Sequence, residues 1–290
     1  MLECIPAQLY VRVICRPKYA TPDGGVVIAE MPDMAFPKSN AGASLIASVL
    51  TGKYVDHLPL HRQAEIFGRS GYEISSSTMT NWVQHGIERL KPLYNHIVNL
   101  IRSSEYVQVD ETTLPVLKAD KPGATVKGYL WSMRSPLARL TAFHWDAGSR
   151  SARTLVDMMG EFQGAMQSDG YNAYNVYDKV KGVTRLAAAI LYTANIYPRL
   201  ARYVTDGSYN IDNNGIENAI RPVALGRKNY LYCGNDASAE RTAIIYTIVS
   251  CCRSAGVNPF EYLTHILPLV DGTPPSKYDI LLPEGYREQG

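Results

Sequence analysis

From Ala41 to Arg102 the apolar residues return at helical spacing. Leu45, Ile46, Val49 and Leu50 make one stripe, and Leu60, Ala64 and Phe67 another. Ser75, Ser76, Ser77 and Thr78 offer N-caps for a further helix carrying Met79, Trp82, Val83, Ile87 and Leu90. Gly68-Arg69-Ser70-Gly71-Tyr72 joins two of these helices. The pair is either a DNA-reading helix-turn-helix or an ordinary helical hairpin, and its turn exceeds the usual three or four residues or so. After Ser104 the period changes to two. Tyr106–Asp110, Tyr129–Arg134 and Leu140–Trp145 read as strands, the last two paired around Ser135-Pro136. Ser149 or Ser151 caps a helix carrying Leu155, Val156, Met158, Met159 and Phe162, and a fourth strand runs Ala165–Asp169. Strands, a crossover helix and a returning strand describe a mixed α/β sheet.

The two ends of the chain are harder to place. Val11, Val13 and Cys15 alternate as one short strand. Pro17, Pro22, Asp23-Gly24-Gly25, Pro32 and Pro37 then exclude any long element before residue 40. Helices return from about Leu186 to Leu267, and the Pro- and Gly-rich stretch Asp271–Gly290 reads as extended.

Composition narrows the class without naming a function. The chain has 290 residues, 46% of them hydrophobic, and 29 basic against 27 acidic residues give a net charge of +2. Length and apolar content suit a folded core of about two domains. The balance of charge neither demands nor excludes nucleic acid, so a local basic stripe must carry any such claim. The five cysteines are odd in number and form no C-x-x-C pair, which suits buried thiols in a reducing cytosol. Vicinal Cys251-Cys252 sit in an apolar helix and read as core. The longest apolar runs, Leu186–Leu191 and Ala243–Ile248, are far short of the roughly 18–20 residues of a spanning helix. No secretory signal is legible either, which predicts a cytoplasmic protein with no membrane partner.

Candidate chemistry lies in where acids fall relative to strands. Asp110 ends the first strand of the sheet and Asp169 the fourth, so parallel neighbours would bring both carboxylates to one crevice. Glu217 follows in Asp212-Asn213-Asn214-Gly215-Ile216-Glu217, a short helix capped by Asp212. Three carboxylates without His or Cys suit a hard, oxygen-seeking cation such as Mg²⁺ or Mn²⁺, and a pair of such ions serves phosphoryl transfer. By spacing alone, strand-end acids are more often surface solubilisers or caps than metal ligands. Glu111 beside Asp110 does not make a glycosidase pair, because strand neighbours face opposite ways. His57 and His61 are four apart, but Pro59 intervenes and no third ligand is near, which argues against zinc. Arg221, Arg227 and Lys228, interleaved with Tyr230 and Tyr232, read as a phosphate-holding stripe or as a solvated face over core aromatics. Arg62, Arg69 and Arg89 stand in the same relation to the helix-turn-helix.

Six segments then occur in order: Val109-Asp110-Glu111-Thr112, Gly128-Tyr129-Leu130-Trp131, Ser168-Asp169-Gly170-Tyr171-Asn172-Ala173-Tyr174, Ile211-Asp212-Asn213-Asn214, Glu217-Asn218-Ala219-Ile220-Arg221-Pro222 and Leu225-Gly226-Arg227-Lys228-Asn229-Tyr230-Leu231-Tyr232. The series resembles the insertion-sequence-66 group of DDE transposases over nearly the whole chain. That resemblance implies an RNase-H-like mixed sheet with flanking helices, preceded by the helical, helix-turn-helix-like region. It implies Asp110, Asp169 and Glu217 as a metal-holding catalytic triad for Mg²⁺ or Mn²⁺, with Arg221, Arg227, Lys228, Arg62 and Arg69 on DNA. Partners would be the element's terminal repeats, target DNA and further copies of the chain in a synaptic complex, in a nucleoid-associated setting.

Four regions follow: 1–40 an extended entry, 41–104 helical and DNA-binding, 105–235 the RNase-H-like catalytic unit, and 236–290 a helical C-terminal region with a tail. Two departures from the group's pattern stand out. A cysteine-rich module ahead of Ile5-Pro6-Ala7-Gln8 is missing, and so is the Cys-Trp-Ala-His motif with its strand and helical insertion between the second and third acids. The chain therefore reads as N-terminally shortened and internally deleted, with Glu217 approaching the other acids more loosely. Three functions compete: a transposase performing cleavage and strand transfer, a deleted copy that only binds DNA, and an RNase-H-like nuclease without end specificity.

Overall fold

The computed structural model describes residues 8–32, 39–118, 123–168 and 212–289, with 2, 34, 36, 121, 207, 209 and 210. The chain opens on a small antiparallel hairpin, β1 (Lys18–Ala20) with β2 (Val26–Ile28), whose strands are exposed throughout. The strand expected at Val11–Cys15 is instead irregular backbone. Pairing moves to residues 18–20 because Asp23-Gly24-Gly25, with Gly24 at φ +82°, makes the turn that folds them onto 26–28.

Four helices follow: α1 (Ala43–Tyr54), α2 (Leu60–Arg69), α3 (Ser76–Arg89) and α4 (Lys91–Arg102). Ser75 caps α3 by accepting from the Thr78 N–H at 3.1 Å. Gly68 and Arg69 finish α2 rather than starting the turn, so the link to α3 is residues 70–75. Only Leu90 separates α3 from α4, where Pro92 sits in the first turn and fits the corner.

The sheet has the order β5–β4–β3–β6, where β3 is Tyr106–Leu117, β4 Thr125–Ser135, β5 Leu140–Trp145 and β6 Ala165–Gln167. β3–β4 and β4–β5 are antiparallel, and β3–β6 is parallel with Gln108 opposite Gln167. This is the mixed sheet that the alternating pattern predicts. β3 runs seven residues beyond Asp110, through Pro115. The proline is tolerated because β6 pairs only with residues 106–108, so its missing N–H faces a side where no ladder continues. On that side Pro115 O accepts from the Cys233 N–H at 2.8 Å. Between β5 and β6 lies α5 (Ala152–Met159), capped by Ser151, with Leu155, Met158 and Met159 buried. The fourth strand is described only to Gln167.

After residue 212 come α6 (Asn214–Tyr230), α7 (Asp236–Ala255), α8 (Pro259–Ile266), two 3₁₀ turns (Val270–Gly272 and Pro275–Leu281) and α9 (Pro283–Gln289). The tail is thus helical, not extended. Pro275 and Pro283 stand at the starts of helical turns, where a missing N–H costs nothing. Leu281 is buried and its carbonyl accepts from Tyr262 Oη at 2.5 Å.

α1 packs on α8, α3 on α7, α4 and α7 on β5, and α6 along β3. Buried side chains from Ala41 to Leu281 form one contiguous cluster. Cys233, Cys251 and Cys252 belong to it as thiols, and burial pushes each thiol's pKa up, that of Cys251 to about 12. Among the described residues no helix is long and apolar enough to cross a membrane.

Candidate active site

β3 brings Asp110 to the middle of the sheet, after the buried Val107 and Val109. Its carboxylate Oδ1 accepts from the Glu111 N–H at 2.8 Å, and its carbonyl accepts from Ser132 Oγ at 2.9 Å across the β3–β4 pair. The ladder is regular here, so Gln108, Asp110, Ser132 and Arg134 share one face. Glu111 takes the other. There its Oε1 accepts from Arg150 Nε at 2.8 Å and Nη2 at 2.5 Å, with only 3% of the side chain exposed. The Arg150 guanidinium lies 5.0 Å over the Tyr129 ring. The two adjacent acids therefore have separate environments, as strand alternation requires.

α6 carries the third acid on the Asp110 face. Asp212 starts the helix by accepting from the Asn214 N–H at 3.0 Å and from Asn214 Nδ2 at 2.6 Å. Asn213 is the formal cap, yet its side chain caps nothing and its amide atoms are buried without partners. The helix is seventeen residues rather than short, and passes through Pro222. Ile216, Ile220 and Val223 are buried at one-turn spacing and pack it down. At its start, a Cβ on Gly215 would overlap the Arg134 guanidinium and approach Gln108 Oε1 to 2.8 Å. Towards its end, Arg227 Nη1 donates to Thr112 Oγ1 at 3.0 Å, to Thr113 Oγ1 at 2.8 Å and to the Thr113 carbonyl.

These two anchors make α6 run beside β3 in the same direction. Two residues past Gly215, Glu217 has advanced about 3 Å along the helix. Asp110 lies about 7 Å beyond Gln108 along the strand. Glu217 and Asp110 therefore fall at neighbouring levels. Glu217 is exposed, in the first turn, where the helix dipole favours a carboxylate. Asp169 lies outside the described residues, two positions after β6 in the sequence. Among the described residues no three His, Cys, Asp or Glu side chains converge.

Below the acids lies a polar network absent from the sequence reading. Gln108 is fully buried; its Oε1 accepts from Arg134 Nη1 at 2.9 Å, and its Nε2 reaches Asp212 O at 3.1 Å and Gln167 Oε1 at 3.2 Å. Gln167 Nε2 also donates to Asp212 O at 3.1 Å and Asn210 O at 3.3 Å, while Tyr106 Oη donates to Gln167 Oε1. Burial raises the Tyr106 pKa and lowers that of Arg134. In Tyr106-Val107-Gln108-Val109 the glutamine looks like a solvent-facing member of an alternating strand. A glutamine on a strand that must be covered by a helix was the available signal.

The basic residues divide. Arg221 and Lys228 are exposed seven positions apart on α6, and Arg221 stands one turn after Glu217 on the same helical face. Arg227 is held by β3, as described. Tyr230 is half-buried, with its hydroxyl 3.1 Å from that of Tyr246, and burial raises its pKa; Tyr232 is exposed. Arg62 and Arg69 are exposed on α2. Arg89 is engaged elsewhere, with Nη1 3.0 Å from Asp271 Oδ2.

The Transposase IS66 family model matches residues 38–187 and 175–241. The chain belongs to that family. Three relatives from Sinorhizobium fredii (strain NBRC 101917 / NGR234) align over nearly all of it. Uncharacterized protein y4qI is 27% identical over 99% of this chain and 70% of its own length. For y4jD the figures are 25%, 99% and 74%, and for y4hP 22%, 97% and 69%. No solved structure matches. The y4qI alignment spans 383 positions against 290 residues here, so this chain lacks a counterpart for at least 383 − 290 = 93 of them. The family match comes in two segments that overlap at 175–187, between the positions of the second and third candidate acids.

Much of what this IS66-family chain shares with its resemblance motifs is packing. A Cβ on Gly128 would overlap the Trp145 ring and come within 3.0 Å of Gly148 Cα. Trp131 is fully buried, with Nε1 donating to Ser149 O at 2.9 Å. A Cβ on Gly226 would overlap the Tyr246 hydroxyl. Those positions hold the scaffold.

Proposed function

We propose that the chain is a DDE transposase with an RNase-H-like catalytic fold, binding the ends of its mobile element and catalysing metal-dependent cleavage and strand transfer. What supports this reading is that α6, which bears Glu217, packs along β3, which bears Asp110, anchored at Gly215 and at Arg227. β6 supports it by running parallel to β3, with Asp169 two positions after it in the sequence. The mixed sheet of order β5–β4–β3–β6, with its one parallel pair and flanking helices, supports the α/β architecture on which that reading rests.

The donor chemistry fits Mg²⁺ or Mn²⁺. Asp110 and Glu217 offer only carboxylate oxygens, and the nearby side chains Gln108, Ser132 and Arg134 bring no nitrogen or sulfur ligand suited to a softer ion. Asp110, Asp169 and Glu217 would hold the cation. When bound, such ions activate an attacking oxygen and stabilise the leaving one at a phosphodiester. The chain's own residues do the rest. Ser132 and the Glu111 N–H fix Asp110, α6 carries Glu217 in its first turn, and Arg221 and Lys228 draw the phosphate backbone towards that face. Arg62 and Arg69 offer α2–α3 a second set of phosphate contacts. The working form would be a homo-oligomer joining two element ends.

The test is cleavage by the full chain, with Mg²⁺, of a duplex bearing the element's terminal sequences beside a scrambled duplex. End-specific cleavage is expected. Asp110→Asn and Glu217→Gln should each lower it by more than the roughly hundredfold that a 1 Å misplacement costs. Equal losses are expected because α6 is anchored at both ends. Indiscriminate cutting, or activity that survives Asp110→Asn, would overturn the reading.

A further inference from the structure

We infer that Arg134 is a positioning residue: acting through Gln108, it sets the first turn of α6 and so the approach of Glu217 to Asp110. The inference rests on the proposed carboxylate site and names a residue outside it.

A guanidinium has only donors, so what Arg134 Nη1 meets at 2.9 Å must be the amide oxygen of Gln108. That contact fixes which way a fully buried amide is turned. Its Nε2 is then directed at Asp212 O, 3.1 Å away, the carbonyl just before the cap of α6. The same guanidinium lies against Gly215, where any side chain would strike it. Arg134 thus touches the helix start directly, and again through Gln108, two residues before Glu217.

Charge makes the placement informative. A cation against the first turn opposes the helix dipole, and Arg134 is half-buried with no ion pair among the described residues. A neutral or acidic side chain would serve helix stability better. The guanidinium instead ties the start of α6 to β4, through the Gln108 amide and by its contact with Gly215.

Two measurements on the full chain decide it. Mn²⁺ affinity is read by calorimetric titration, with Asp110→Asn as the control for the site. Hydrogen exchange is read in the peptide spanning 212–220, whose Ile216 and Glu217 amides donate to Asn213 O at 3.1 and 3.2 Å. Arg134→Met should weaken Mn²⁺ binding about tenfold and speed exchange in that peptide by a similar factor, leaving the peptides of β3 and α7 unchanged. Arg134→Lys, which keeps one donor and the charge, should recover part of both effects. Gly215→Ala, with Arg134 intact, should move both readouts in the same direction and serves if Arg134→Met folds poorly. Unchanged exchange in Arg134→Met and Gly215→Ala would overturn the inference, and so would faster exchange with unaltered Mn²⁺ affinity. Absence of Asp110-dependent Mn²⁺ binding in the unmodified chain would remove the carboxylate site and the role of Arg134 together; failure confined to the Arg134 and Gly215 variants removes the inference alone.

Discussion

Gly128 is where a single methyl group has least room. It faces Leu114 across the β3–β4 ladder, with the Trp145 ring and Gly148 against its Cα. Gly128→Ala should cost about 1–3 kcal/mol, because a ring and a backbone segment must both move, and a urea titration would show it as a lowered midpoint. His144 supplies a pH dependence. Burial lowers its pKa below the ordinary 6.5, opposed by Asp146 and reinforced by Arg102. The unfolded chain therefore binds a proton below about pH 6.5 that the folded chain refuses, so stability is full above that pH and falls as acid drives the pH towards the lowered folded value. His57 is shifted the same way, again chiefly by burial. His144→Gln should flatten part of the fall in urea midpoint between pH 7.5 and 5.5. At this scale the sequence was partly readable. Asp110 and Glu217 stood out because their neighbours have a clear period. Gln108 and Arg134 did not, because nothing local says that a polar side chain will be roofed by a helix so far along the chain. Arg227 looked like its neighbours Arg221 and Lys228 for the same reason: only tertiary contact with Thr112 and Thr113 separates them.

Elements whose apolar period is complete within themselves were legible: α1, α3, α5, the β4–β5 hairpin and the parallel return of β6. Elements fixed by distant partners were not. β3 runs through Pro115 because Cys233 meets its open side, and the tail becomes helical because Tyr262 and Tyr286 pack against each other, with ring centroids 5.6 Å apart. α7 shows the tertiary term most directly. It lies beside β5 and takes up the outward backbone groups of that strand: Thr247 Oγ1 accepts from the Phe143 N–H at 2.9 Å, and Cys251 Sγ meets Thr141 O at 3.4 Å. Tyr94 Oη of α4 donates to Phe143 O at 2.9 Å. Thr247→Val keeps the shape but leaves a buried N–H without an acceptor. A loss of about 1–3 kcal/mol is expected, measurable by thermal or urea unfolding, and Thr247→Ser should restore most of it.

Over the whole molecule, the helical region before the sheet and the helices after it share one core, since α1 packs on α8 and α3 on α7. A fragment of residues 41–104 would leave Ile46, Leu50 and Ile87 without the C-terminal helices they need. Circular dichroism of that fragment should show little helix and no cooperative melt, whereas near- and far-ultraviolet signals of the full chain should change at one midpoint. A stably folded fragment would show that the first four helices are self-sufficient.

The covering of β5 by α7 also bears on how such a chain can change over generations. One border of the sheet is sealed by side chains that satisfy its backbone, so an added or lost segment there would strip bonds from the core. Among the described residues the opposite border is the three-residue β6, and the two segments of the family match overlap at 175–187, shortly after it. A change of length after β6 would leave the bonds by which α7 and α4 cover β5 untouched. The sheet thus has a sealed side and a side open to change, and this chain, lacking a counterpart for at least 93 aligned positions of y4qI, carries the sealed one.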